Sequence, residues 1–444
     1  MSSAPVSAGT YMMTIVSLAV GVCAVMAYMG FRGRVTTVGI DLGTTFSVVG
    51  LHRNGKVEIV KDKTSGKMIF PSIVHYASNG EVHVGYEALP YLSTDPKNTI
   101  FNAKRFIGRS LEDQDVVEYA KSHPFDVIDL NTATENAGGI GNISMYSQVG
   151  FKITASGHPA VISPEQVGTE VLKHLLKHTA AYLKHNRVNK AVIAVPAKFT
   201  SAQRAATGAA YKAAGLKVVR VLEEPTAAAV AYDLHKKQNI HHILVYDFGG
   251  GTLDVSILYV AKGSVQVYAT DGDSSLGGSD FDMSLYAYIK RRIYEESGGK
   301  VSLDYSSSNY HRGKDADGSA IPCLASNIRE EAESIKKKLT TKEAVQFQCT
   351  DENDDSQNIV SFTVTREDFE RSCDHLFKRS LLPIHRLLDD LEMSVHDIDE
   401  IVLVGGSTRM PLIKKALKAF FGKSLNDEID PDITVSYGAS SVLT

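Results

Sequence analysis

Four carboxylates and one lysine carry the chemistry this chain can do: Asp41, Glu224, Asp247, Asp254 and Lys104. Residues 243–258 read I-L-V-Y-D-F-G-G-G-T-L-D-V-S-I-L, an apolar run ending in Asp247, three glycines, Thr252, and a second apolar run carrying Asp254. Residues 38–51, V-G-I-D-L-G-T-T-F-S-V-V-G-L, repeat the pattern with Asp41, Gly43, Thr44 and Thr45. Each stretch predicts a strand, a tight glycine turn and a returning strand. Glycine lets backbone N–H groups approach a phosphate closely, and a carboxylate beside the turn can hold a divalent cation through its water shell. One such turn alone is as readily an ordinary hairpin, and one Asp at a strand end a cap or turn residue. Two turns with four carboxylates and a lysine imply two related halves gripping one nucleotide. A third glycine turn, Gly405-Gly406-Ser407-Thr408-Arg409, follows the apolar run I-V-L-V and could let a nucleoside lie against the backbone. Phosphoryl transfer to water needs mainly positioning and charge neutralisation, which amides, a magnesium ion and a lysine can supply.

The turns are neither a P-loop nor a dinucleotide fingerprint. No G-x-x-x-x-G-K-[ST] occurs, and each glycine turn leads into a strand instead of a helix. The elements that must position them alternate. Short β segments over 57–76 precede a short helix over 98–109 carrying Lys104 and Arg105, and 121–160 is β- and turn-rich with a glycine-rich loop. Pro164 opens an amphipathic helix reaching about His185. A-V-I-A-V-P is a strand, 201–214 a helix stopped by Gly215, K-V-V-R-V-L a strand, and E-P-T-A-A-A-V-A-Y a helix. The second half repeats this order. It has a strand G-S-V-Q-V-Y-A-T, a helix over 279–296, a Gly/Ser/Asp-rich insertion over 297–320 and a charged helix over 326–339. A strand pair over 346–365 and a long helix over 367–393, interrupted near Pro383, complete it. This is an α/β pattern with helices on the faces of mixed sheets.

At 444 residues and 43% hydrophobic content the chain can build two or three cores, and a net charge of -4 with mixed signs gives no sign of a nucleic-acid partner. Cys23, Cys323, Cys349 and Cys373 show no C-x-x-C and no metal-ligand spacing. They read as free or buried thiols, with a disulfide among the last three left open. Residues 11–31 are uncharged and mostly apolar, long enough for a membrane helix, since about 20 residues cross the hydrocarbon core. Val25-Met26-Ala27 equally suits signal cleavage. Arg32 and Arg34 follow the run, which would put the body of a retained anchor in the cytosol, whereas a cleaved signal, with the Asn142-Ile143-Ser144 sequon, would put it in the secretory lumen.

The strings I-D-L-G-T-T, V-P-A, E-P-T-A-A-A-V-A-Y, D-F-G-G-G-T-L-D-V-S and V-L-V-G-G-S-T-R-M-P occur in one order that resembles the nucleotide-binding domain of the seventy-kilodalton heat-shock (stress-70) chaperones. The resemblance runs from about Val38 onward and is greatest to the family's short microsomal branch. It implies an actin-like, two-lobed α/β ATPase fold of duplicated ribonuclease-H-like domains. The expected segments are 1–33, a signal peptide or anchor; 34–237, lobe I with an insert at about 71–160; 238–428, lobe II with an insert at about 278–373; and 429–444, returning to lobe I. No peptide-binding domain is expected, so slow hydrolysis of ATP to ADP should be independent of peptide. Residue by residue, the resemblance gives Asp41, Asp247, Asp254 and Glu224 a magnesium environment, and Lys104, Glu224, Asp247 and Thr252 catalysis. Gly43, Thr44, Thr45, Phe46, Gly249, Gly250, Gly251 and Thr252 would hold phosphates. Glu333, Lys336, Lys337 and Thr340 would face Gly405, Gly406, Ser407 and Arg409 across the adenosine, with Asp432 by the ribose. Pro196 and Arg204 match a pair that relays nucleotide state between lobes. Lys337 replaces an adenine-stacking arginine, lacking its planar guanidinium. Glu223 replaces an asparagine, adding charge near the magnesium; Phe46 and Phe248 are apolar substitutions expected to be tolerated. The implied partners are ATP and other chaperones or co-chaperones, with a monomeric body, a membrane only through 11–31, and an endoplasmic-reticulum lumen location. A nucleotide-bound regulator without turnover is the competing expectation; a small-molecule kinase of the same fold is a weaker third.

Overall fold

Hairpins at both carboxylate-bearing turns lie at the centres of two sheets in the computed structural model, which describes residues 8–28, 34–63, 65–130, 146–301, 321–350 and 359–443. The glycine-rich loop within 121–160, the Asn142 sequon and nearly all of the 297–320 insertion fall outside those residues. The first element, α1 (Ala8–Tyr28), has exposed side chains from Tyr11 to Val25. Among the described residues, no helix is long and apolar enough to cross a membrane.

In lobe I, β1 (Thr37–Leu42) and β2 (Phe46–Arg53) form the first hairpin, followed by β3 (Lys56–Ile59) and β4 (Phe70–Pro71). A small sheet of β5 (Ile73–Tyr76), β6 (Val82–Val84) and β7 (Thr99–Phe101) comes next, then α2 (Gln114–Ser122) and a second small sheet of β8 (Val127–Asp129), β9 (Val149–Lys152) and β10 (Val161–Ile162). Helix α3 (Pro164–Leu183) starts on a capping box between Ser163 and Gln166 with Pro164 in its first turn. Then come β11 (Lys190–Val195), α4 (Ser201–Ala213), β12 (Lys217–Glu223) and α5 (Glu224–Ala231). The main sheet has the order β12-β11-β1-β2-β3, with β4 on β2; β1 runs parallel to β11 and antiparallel to β2.

Lobe II repeats the plan. The second hairpin is β13 (His242–Phe248) with β14 (Leu253–Ala261), extended by β15 (Ser264–Asp273). Helix α6 (Gly278–Glu296), β16 (Ile321–Pro322), α7 (Ala325–Lys338), β17 (Ala344–Thr350), β18 (Ile359–Thr365), α8 (Arg366–Ser372) and α9 (Asp374–Asp390) follow, then β19 (Glu400–Val404) and α10 (Pro411–Phe421). The order is β15-β14-β13-β19, again with one parallel neighbour, β19, on the hairpin's first strand. Each sheet packs into its own core, and a third cluster joins them: Val192 and Leu222 of lobe I meet Ile243, Val402 and Val404 of lobe II around the alanines of α5. The last helix, α11 (Thr434–Ser441), wedges between β1–β2 and α5. Its Ser436 hydroxyl donates to the Gly39 carbonyl, and Gly438 approaches α5 so closely that a Cβ would stand 1.8 Å from the Ala227 carbonyl oxygen.

Three expectations change. The helix over 98–109 is instead β7 followed by a single turn at Ala103–Arg105, because Thr99 to Phe101 pair with β5 and Asn102 takes a left-handed φ of 57° that ends the strand. The helix over 367–393 breaks at Cys373 and runs through Pro383, whose ring packs in the core. Cys323 and Cys349 are not free thiols but a disulfide that ties the start of α7 to β17; Cys373 stays a buried thiol.

Candidate functional site

A cleft of about 360 Å³ opens where the hairpin turns of the two lobes face each other, within the size range of small-molecule sites. Its wall includes Asp41, Gly43, Thr44, Thr45 and Phe46 from the first hairpin and Asp247, Gly249, Gly250, Gly251, Thr252 and Asp254 from the second. Lys104 comes from the turn after β7, Glu224 from the start of α5, and Gly405, Gly406 and Asp432 from the third glycine turn and the chain beyond it. The hairpins set this meeting point: Asp247 and Asp254 are paired residues of β13 and β14, while Asp41 sits on β1 opposite Val48.

At the cleft floor the Lys104 ammonium donates to the Glu224 carboxylate at 2.6 Å, with both side chains nearly buried. Loss of hydration, partly offset by Lys104, pushes the Asp41 carboxyl up to about 7, and loss of hydration with repulsion from Glu224 pushes Asp254 up to about 6. Asp247 lies well above the ordinary carboxylate range for the same first cause, reinforced by Glu224, Asp254 and Asp41. Burial alone would lower the Lys104 ammonium; Glu224 and then Asp41 reverse that and raise it. Four carboxylates thus crowd the buried Lys104 ammonium, and their mutual repulsion is what a divalent cation would relieve. Carboxylates ringing a cleft suit a hydrated divalent ion that keeps several waters, as magnesium does.

The phosphate-side loops are held by their carbonyls. Gly278 N–H and the Ser407 hydroxyl donate to Gly249 O at 3.0 and 2.8 Å, and Ser279 N–H donates to Gly250 O at 2.8 Å. Ser72 donates to Gly43 O at 2.8 Å. Among the described residues, the amides of Thr44, Thr45, Gly250 and Gly251 take no backbone partner, leaving donors suited to phosphate oxygens. Gly405, at φ 82°, lies against β13 so tightly that a Cβ would meet Phe248 O at 2.4 Å; only glycine joins the third turn to the second.

The nucleoside-side residues divide. Lys336 stands at the start of α6, its ammonium on Gly278 O at 2.9 Å and on Asp282 at 2.8 Å, with Ser407 beside the same glycine. Arg409 is held by Asp430 and by Asp432, the latter at 2.9 Å, and a Cβ at Gly406 would stand 2.8 Å from the Asp432 carboxylate. Glu333 and Lys337 pair with each other at 2.6 Å on the exposed face of α7, and the Thr340 hydroxyl donates to Lys337 O. Glu223 does not add free charge beside the metal position. Its carboxylate accepts from Arg204 at 3.0 Å, and Arg204 also donates to Ala197 O and Phe199 O, fixing the loop after Pro196.

Among the cleft residues that sequence reasoning did not assign to the site are Arg105, Arg109, Asp115, Tyr119, Lys198, Gln203 and Ser274. Arg105 follows Lys104 directly, which was the one available signal. Lys198 lies 4.0 Å from Asp271, and helps to draw Asp254 back down.

Two facing sheets with a carboxylate-lined cleft and three glycine turns define a nucleotide-binding architecture of the actin type. The family model described as Hsp70 protein matches residues 37–443, and the chain belongs to the Hsp70 family. Members of that family are ATP-binding chaperone ATPases that usually bind nucleotide with magnesium.

Proposed function

We propose that this protein binds ATP with magnesium in the interlobe cleft and hydrolyses it slowly, as a monomeric chaperone-family ATPase of the secretory-pathway lumen, akin to the family's microsomal branch. The observation that carries the reading is the Lys104–Glu224 pair set among Asp41, Asp247 and Asp254 at the junction of the glycine turns. Magnesium, when bound, supplies neutralisation of developing phosphate charge. The chain's own residues do the rest. Amides of Thr44, Thr45, Gly250 and Gly251 hold the phosphates, and Lys104 orients the terminal phosphate and the attacking water. Glu224, anchored by Lys104, and Asp247 are placed to accept the water's proton. The Cys323–Cys349 disulfide supports an oxidising compartment.

Single-turnover hydrolysis by the wild type, Lys104→Ala and Asp247→Asn tests this. Loss of turnover in both variants is expected. Equal rates in all three would favour a nucleotide-bound regulator that docks on other chaperones.

A further inference from the structure

Arg105 adjoins Lys104 but points its charge elsewhere. Its guanidinium lies over the Tyr119 ring at 4.4 Å and crosses from lobe I to lobe II. There one terminal nitrogen donates to the Ser274 carbonyl and the other to the Gly251 carbonyl, both at 2.7 Å. Tyr119 donates its hydroxyl to the same Ser274 carbonyl at 2.8 Å. Lobe II braces the receiving loop: Arg379 grips Asp273 at 2.6 and 2.7 Å and donates to the Ser275 hydroxyl at 2.7 Å. Gly251 leaves the arginine its place, since a Cβ there would stand 2.4 Å from the guanidinium. The buried Nε–H of Arg105 has no hydrogen-bond partner among the described residues.

We infer that Arg105 and Tyr119 form an interlobe latch that positions Gly251 and sets how fast nucleotide leaves the cleft. The inference rests on the nucleotide reading above. For the lobes to part at this mouth, three hydrogen bonds must break together, two of them charge-assisted and stronger than neutral ones. Because one of them ends on the last glycine of the second turn, closure and phosphate-loop geometry are one event. Arg105 is a positioning residue, distinct from Lys104, which faces the carboxylates.

The test follows dissociation of a fluorescent ADP by stopped flow, with single-turnover hydrolysis at saturating ATP measured alongside. Loss of two charge-assisted bonds predicts release at least ~10-fold faster in Arg105→Ala, and loss of one neutral bond ~3-fold faster in Tyr119→Phe. Arg105→Lys, which keeps charge but not the fork, should fall between wild type and Arg105→Ala. The hydrolytic step should change less than release. Small-angle scattering of the nucleotide-free proteins should show wider lobe separation in Arg105→Ala. Unchanged release in both Arg105→Ala and Tyr119→Phe overturns the latch and leaves the proposed function standing. If the wild type binds no ADP, the proposed function fails instead, and unchanged scattering in Arg105→Ala then overturns the latch separately.

Discussion

Replacing Lys104 by alanine removes the buried ammonium paired with Glu224 at a floor of four carboxylates, and its cost should depend on pH. At 2.6 Å and an effective dielectric of about 20, the Lys104–Glu224 attraction is about 6 kcal/mol. Rehydration of the freed carboxylate through the space lysine vacated offsets part of this. The net loss should then be about 3 kcal/mol, the lower end for removing one partner of a buried pair. The pH sense comes from the aspartates. Folding raises Asp41 from 3.8 to about 7 and Asp254 from 3.8 to about 6. A carboxyl raised on folding contributes stability below its unfolded value and loses it as pH climbs through its folded value. Metal-free wild type should therefore lose stability from about pH 4, the unfolded value, through about pH 7. Lys104 stays charged throughout that window, since folding raises it above 10.5. Lys104→Ala should consequently lose most at pH 8, where Asp41 and Asp254 are ionised, and least at pH 5, where both hold their protons. Scanning calorimetry in chelator at both pH values reads this directly; 3 kcal/mol corresponds to about 3 °C for a chain of this length. Saturating magnesium should narrow the gap at pH 8. An equal loss at pH 5 and pH 8 would refute the idea that Lys104 compensates the cluster.

Three further outcomes follow from close approaches and covalent ties. Gly277→Ala would drive a Cβ to 2.3 Å from the Gly251 backbone, so nucleotide affinity measured by calorimetry should fall about tenfold or more, about 1.4 kcal/mol, while the circular dichroism spectrum stays unchanged. Gly438→Ala presses α11 off the Ala227 carbonyl and should cost about 1–3 kcal/mol, seen as a lower urea midpoint. Replacing both Cys323 and Cys349 by serine opens a link spanning a sequence separation of 26 and should cost about 3 kcal/mol in thermal unfolding, with hydrolysis retained if α7 keeps its place.

Both hairpins were legible because their signal is local: apolar alternation, a carboxylate, glycines and a return strand lie within a few residues. The same holds for α3 and α4, whose Ser163 and Thr200 caps stand beside the residues they cap. What escaped was set by distant partners. Thr99 to Phe101 look neutral between helix and strand until β5 supplies the ladder. Cys323 and Cys349 pair because β16 runs beside β17, a neighbourhood no spacing reveals. Glu223 looks like added charge near the metal only until Arg204, from a different element, takes it up. Arg105, Tyr119 and Ser274 carry no pattern along the chain, since their contacts join the two lobes across 146 to 169 residues.

The wedge of α11 has a temporal meaning. The Ser436–Gly39 hydrogen bond closes a loop of 397 residues. At a ribosomal rate of about 5–20 residues per second, the Gly39 face of the first hairpin waits roughly 20–80 s for the helix that covers it. Through that interval the glycine-lined face of β1 and β2 that Ser436 and Ser440 cover stands open on the nascent chain. Lobe I therefore finishes last even though its strands are made first, and a family that guards the folding of others begins its own life with a surface that needs guarding.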